Sequence, residues 1–392
     1  MGATREELVV RARALLPDLA DRAVACEQLR QVPDATFQAF KDAGLLRVFV
    51  PKEFGGDALE LGTVIDIARE TGKACGSSSW CLAISNLHNR MAASFPRAAQ
   101  EEVFGPGPDS VVCGVFMPGG QAIAEEGGYR LTGQWDFASA CDHASHAILA
   151  AWVQPAADAS PTGMGAFLVR RQDFAIEDNW FVAGLAGTGS KRIAVDEVFV
   201  PHDWALMLAG GAESAEGQSG EALAAGAKPL PTNSVATLGL VGVTLGVAAG
   251  ALEHFQMRLG EKVRMATFRA PQEQVAAQLR LAESAAEVDS AELLVLRDCE
   301  EMERCAAAGL KASPEQRGRY RRDAAHVIQV CARAVARLVP AAGAHAIFSD
   351  DPIQRAMRDT QVMSAHAVAN WDQAGESYSR ALLGLPVEDP IF

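Results

Sequence analysis

Two places in this chain carry residues whose types and spacing suit chemistry. The first is GYRLTGQWDFASACDH, residues 128–143. Tyr129, Leu131, Trp135 and Phe137 alternate with Arg130, Thr132, Gln134 and Asp136, the period of a half-buried strand with one apolar face. The strand ends in Ala138, Ser139 and Ala140, small residues that let a planar ligand approach the backbone. The second place is His366. Asp359 precedes it by seven residues, which on a continuous helix puts both on one face. A carboxylate so placed orients an imidazole or holds its proton, as a general base requires. The plainer reading is a packed helix histidine, with Asp359 paired to Arg355 four residues away.

Several chemistries lack their motif. Eight cysteines form no CxxC and eight histidines no HExxH. His143 and His146 have no partner at ligand spacing, so no metal site is expected. No GxGxxG opens a helix after a strand, which argues against a nicotinamide-binding unit. The net charge of −14 disfavours nucleic-acid partners. No apolar run of about 18 residues is apparent, so no membrane span is expected. Nor does the N-terminus read as a signal peptide, and the cysteines suit the reduced core of a cytoplasmic protein.

The elements that must position these residues fall into blocks. Residues 1–108 read as a helical domain: an amphipathic helix over 4–30, a second beginning at Pro33 and Asp34, and two more near 59–73 and 78–94. Residues 109–208 read as a β-domain, with strand-like runs at 111–117, 129–137, 147–153, 166–170 and 192–200. The small, low-complexity residues of 209–233 suggest a flexible loop or linker. Residues 234–392 carry helical segments near 234–260, 272–308, 314–340 and 352–382, the pattern of a four-helix bundle.

This order resembles the acyl-CoA dehydrogenase fold over nearly the whole chain, a mainly α class with a middle β-domain. The resemblance is carried by LRQVPDATFQAFKDAGLLRVFVPKEFGG (29–56), residues 128–143, GLAGTGSKRIAVDEVFVP (184–201) and the terminal RALLGLP (380–386). Finer markers resemble one branch, the two-component (group D) flavin-dependent monooxygenases. They are GSSSW (76–80) with His88 eight residues on, WxFxS at Trp135 to Ser139, GTGS at 187–190, and RDTQVMSAH ending at His366.

That resemblance implies reduced FMN or FAD from a separate flavin reductase, O2 as co-substrate, and a C4a-hydroperoxyflavin that hydroxylates a phenol or an amine. It also implies a homotetramer. It implies that Ser139 and Trp135 contact the flavin and that Gly114 brings backbone against the ring. Thr188 and Ser190 then bond flavin or substrate, or only close their Gly-flanked turn. His88 lines the substrate pocket beside His366, or is a core histidine. His366 is then the base. Arg258, Arg264 and Arg269 are candidates for the flavin phosphate, since guanidinium forks match phosphate, or are solvated arginines. Two other readings stand: a dehydrogenase with a displaced base, Asp372 or Glu376, and a ligand-binding member without turnover.

Overall fold

Thr4 starts the first helix with a capping box: its hydroxyl accepts from the Glu7 N–H, and the Glu7 carboxylate accepts from the Thr4 N–H. Where one helix is expected over 4–30 there are two, α1 (Arg5–Ala14) and α2 (Leu16–Leu29). Pro17 sits in the first turn of α2, where its missing N–H has no helical partner to lose. The helical layer continues with α3 (Asp34–Asp42), α4 (Leu61–Gly72), α5 (Gly76–Ala92) and α6 (Arg97–Phe104). Here, in a computed structural model of the chain, residues 2–208, 232–261 and 274–392 are described.

The sheet holds β1 (Val112–Val115), β2 (Gly120–Glu125), β3 (Gly128–Ala138), β4 (His146–Gln154), β5 (Gly163–Arg170), β6 (Ala175–Glu177), β7 (Lys191–Pro201) and β8 (Ala205–Leu208). Its order is β6-β7-β3-β2-β4-β5-β8, with β1 parallel to β4 beside β2. Strands β2, β6 and β8 are additional to the five expected runs. The alternation along β3 fails at its end. Pairing with β7 slips between Trp135 and Ala138, and Phe137 takes a left-handed φ of 70°. This bulge turns Phe137 outward, 70% exposed, while Trp135 stays buried.

The C-terminal helices are α7 (Thr232–Glu261), α8 (Val275–Ala307), α9 (Pro314–Ala342), α10 (Pro352–Ser364) and α11 (Trp371–Leu382). Helix α7 corrects the expectation about apolar runs: Asn233–Gly260, 28 residues, is long and apolar enough to cross a membrane, and its most apolar 18-residue window has a mean hydropathy of 2.0. Yet 83% of that window is buried inside the protein, so α7 is a central core helix packed on α4 and α9. Gly246 and Gly250 permit that approach, because a Cβ at either would overlap the α4-side carbonyls of Arg69 and Lys73. The expected helix over 352–382 is broken between Ser364 and Trp371, and His366 lies in the break. Residues 209–231 of the expected linker lie outside the described residues.

Candidate active site

Helix α5 is the platform of the site. It is buried along most of its length, and its polar residues are tolerated because they are bonded: Ser79 and Ser85 donate to the carbonyls of Ala68 and Cys81. From this helix the Trp80 indole N–H donates to Ser139 Oγ at 3.1 Å. Ser139 Oγ lies 2.7 Å from Ser190 Oγ, which lies 2.7 Å from Thr188 Oγ1. Thr188 Oγ1 donates to the Leu185 carbonyl at 2.8 Å. All three hydroxyl residues are buried. They meet because Leu185 and Gly189 adopt left-handed φ values of 53° and 54°, which curl residues 185–190 into a tight turn under the end of β3. The Ala140 N–H donates to the Thr188 carbonyl at 3.0 Å and ties the two segments together.

Asp359 holds that turn. Its Oδ1 accepts from the Leu185 N–H at 2.6 Å, across 174 positions of sequence. Burial pushes its carboxyl up to about 7, against the lowering effect of that hydrogen bond. This corrects the expectation that Asp359 orients His366. Helix α10 ends at Ser364, so the two residues do not share a helix face, and the carboxylate is committed to another segment.

His366 sits outside regular helix because distant side chains claim the backbone around it. Arg321 Nη1 and Nη2 bond the carbonyls of Val368 and Ala367, and its Nε bonds Asp389 Oδ2 at 3.1 Å. Gln329 donates to the carbonyls of Ser364 and Ala369. The His366 ring stands edge-on to Trp80 with centroids 5.5 Å apart. The side chain is exposed at its surface, with protein packed close around the ring. That desolvation, with the positive Arg321 nearby, lowers its pKa and keeps it neutral at pH 7. Its Nδ1 accepts from the Val368 N–H at 3.2 Å, so in the neutral ring Nε2 carries the proton. The free nitrogen is a donor, which contradicts the expected role of resting base.

His88 has the opposite tautomer. Two turns along α5 from Trp80, its Nδ1 lies 3.0 Å from the Val112 carbonyl and must donate to it, leaving Nε2 as the accepting nitrogen. Burial depresses its pKa to about 4. Gly114 packs against this ring: a Cβ there would stand 3.4 Å from Nε2 and 3.1 Å from the Ile148 carbonyl. Phe116 completes the wall, its centroid 5.6 Å from that of His88.

Residues 4–107 match the family described as Acyl-CoA dehydrogenase, N-terminal domain, and residues 238–371 its C-terminal domain. The chain is 32% identical to the flavin-dependent monooxygenase oxygenase subunit HsaA of Mycobacterium tuberculosis over 385 residues, 96% of this chain and 95% of that protein. It is 34% identical over 371 residues to the oxygenase component of an FADH(2)-dependent resorcinol hydroxylase from a Rhizobium species, 92% of this chain and 90% of that one. The solved structure of XiaF from a Streptomyces species, in complex with FADH2 and glycerol, superposes with a TM-score of 0.90 at 27% identity, covering 98% of this chain and 97% of that one. The chain belongs to the oxygenase components of the flavin-dependent monooxygenases.

The residues of this oxygenase fit a flavin. Ser139 bonds Trp80 and Ser190 and retains one acceptor lone pair. Gly114 supplies backbone without a side chain, and Phe137 presents an exposed aromatic face two residues before Ser139. Phe137 rather than Trp135 is therefore the aromatic available there. Trp135 is 1% exposed, donates to the Ala150 carbonyl at 2.6 Å and fills a socket beside Gly119, Gly120 and Gly133, so its expected flavin contact is corrected to a core role.

Arg258 Nη2 pairs with Asp351, which caps α10, while its Nη1 is buried without a partner among the described residues. Arg264 and Arg269 lie outside the described residues. Asp372 and Glu376 are exposed on α11, with Glu376 3.7 Å from Arg380, a surface placement that suits no substrate base. Trp80 and Arg321 join the site without having been assigned roles from sequence. The WxFxS spacing pointed to Trp135, and the bulge at Phe137 is what sets the two aromatics apart.

Proposed function

We propose that this oxygenase hydroxylates a phenol, using reduced FMN or FAD that a separate flavin reductase delivers. When bound, the reduced flavin reacts with O2 and supplies the oxygen atom that is transferred. The observation that carries the phenol reading is the pair of histidines with opposite tautomers along one helix face and the break beside it. His88 Nε2 is placed to accept a hydrogen bond from the phenolic hydroxyl, which raises electron density on the ring carbon to be attacked. His366 Nε2–H is built to donate to a substrate oxygen. Ser139 accepts a hydrogen bond from the flavin, and the buried turn behind it excludes water. The resorcinol hydroxylase among the relatives acts on a phenol, in agreement with this reading.

The assembly is proposed to be a homotetramer. Val275, Leu279, Leu293 and Leu296 form an exposed apolar stripe along α8, and its burial against another copy accounts for it. The function is tested by single turnover: reduced flavin, O2 and a panel of phenols, followed from pH 6 to pH 10. His88→Asn should slow product formation by about 10²-fold or more at pH 7 and recover where the phenol ionises unaided. His366→Asn should weaken substrate binding and leave the shape of the pH profile unchanged. If His366→Asn alone alters that profile, the proton goes to His366. If no phenol is hydroxylated, the phenol reading fails.

A further inference from the structure

The hydroxyls of Ser139, Ser190 and Thr188 have a direction, and it follows from the groups at either end. The chain begins at an indole N–H, which only donates, and ends at a carbonyl, which only accepts. Each hydroxyl has a single proton. The Thr188 proton lies on the Leu185 carbonyl, so the bond between Thr188 and Ser190 must use the Ser190 proton. The bond between Ser190 and Ser139 must then use the Ser139 proton. With every bond made, this arrangement is unique: Trp80 to Ser139 to Ser190 to Thr188 to the Leu185 carbonyl. The same carbonyl is also reached by the Thr188 N–H at 3.0 Å and the Trp180 indole at 3.3 Å, with the Thr188 hydroxyl the shortest of the three at 2.8 Å. The Leu185 N–H is held in turn by Asp359. Ser139 therefore has no proton to give, and one lone pair with which to accept.

That polarity matters because the two redox states of a flavin differ at N5. Oxidised isoalloxazine presents a lone pair there, and dihydroflavin presents an N–H. We propose that the oriented hydroxyl chain is a redox-state selector, which makes the protein prefer reduced over oxidised flavin, with Thr188 and Ser190 as positioning residues that never touch the ring. A lone pair on Ser139 accepts from reduced N5–H and opposes the lone pair of oxidised N5. The selector suits an enzyme that takes reduced flavin from a partner and must release the oxidised form. It rests on the reading that Ser139 meets the flavin.

The test is anaerobic titration of the full-length apoprotein with FMN and FAD, each oxidised and photoreduced, giving the ratio of the two dissociation constants. The parent should favour the reduced form. Thr188→Val removes the acceptor for the Ser190 proton, which then turns toward Ser139 and frees the Ser139 proton to donate. Ser190→Ala frees it directly. Each should lower the preference by about twofold to tenfold, the worth of one hydrogen bond, chiefly by tightening the oxidised form and loosening the reduced one. Thr188→Ser keeps the hydroxyl and should restore the parent ratio, which a loss of packing alone does not explain. If Ser139→Ala lowers the ratio while Thr188→Val and Ser190→Ala leave it unchanged, the selector is wrong and the flavin contact stands. If Ser139→Ala also leaves it unchanged, the contact itself is wrong.

Discussion

Replacing Asp359 by Asn separates what its carboxyl does by charge from what it does by shape. The side chain is 5% exposed, and Oδ1 accepts from the Leu185 N–H at 2.6 Å, a bond that an Asn carbonyl oxygen can also make. Burial lifts the carboxyl from 3.8 to about 7. The unfolded chain releases this proton near pH 4 and the folded protein holds it to about pH 7, so between those values the folded state binds more protons. The stability this proton confers is present in full below about pH 4 and is lost as pH rises to about 7. At about 1.36 kcal/mol per pH unit over that interval, the loss is on the order of 4 kcal/mol. Asp359→Asn has no proton to lose and should escape it. Urea unfolding of parent and variant at pH 5 and pH 8 gives the difference, since other titrating groups cancel between the two proteins. The variant should gain on the parent by roughly 1–3 kcal/mol between those pH values, part of the full interval. A difference that stays the same at both pH values refutes the buried, protonated carboxyl.

Two further outcomes follow from the packing around the histidines. Asp389→Ala leaves the Arg321 guanidinium, 2% exposed, without its carboxylate, and removing one partner of a buried pair costs about 3–5 kcal/mol. A lowered melting temperature with faster amide exchange at residues 365–370 is expected, and unchanged exchange there would show that Arg321 does not hold the His366 loop. Gly114→Ala places a Cβ 3.1 Å from the Ile148 carbonyl and 3.4 Å from His88 Nε2. It should fold with a loss of about 1–3 kcal/mol and bind phenols more weakly in equilibrium titration; parent-like binding would mean that the Gly114 side of His88 does not face substrate.

The order of helical, sheet and bundle layers was legible in the sequence because amphipathic periods and turn residues act locally. The small end of β3 at Ser139 and the Gly-flanked turn at Thr188 and Ser190 were each visible as local features, but their meeting across about fifty positions was not. What the sequence hid depends on contacts between remote segments. The break at His366 is imposed by Arg321 and Gln329, more than thirty positions away. Asp359 reaches a peptide 174 positions back, not the histidine seven positions on. The exchange of Trp135 for Phe137 on the open face needs one bulge, and strict alternation cannot foresee it. The tautomers of His88 and His366 depend on backbone partners that no spacing reveals.

In the function proposed for it, this chain transfers oxygen from O2 to a phenol through reduced flavin alone, and reductase is needed only to supply that flavin. The direct measurement is a single turnover of purified protein with photoreduced FMN or FAD, resorcinol and ¹⁸O2, with no nicotinamide or reductase present, read by mass spectrometry. The expected product is hydroxylated and carries one ¹⁸O atom per flavin oxidised, less the fraction released as hydrogen peroxide. Flavin oxidation that yields only peroxide with every phenol tried, or product whose new oxygen comes from water, would contradict the proposed function.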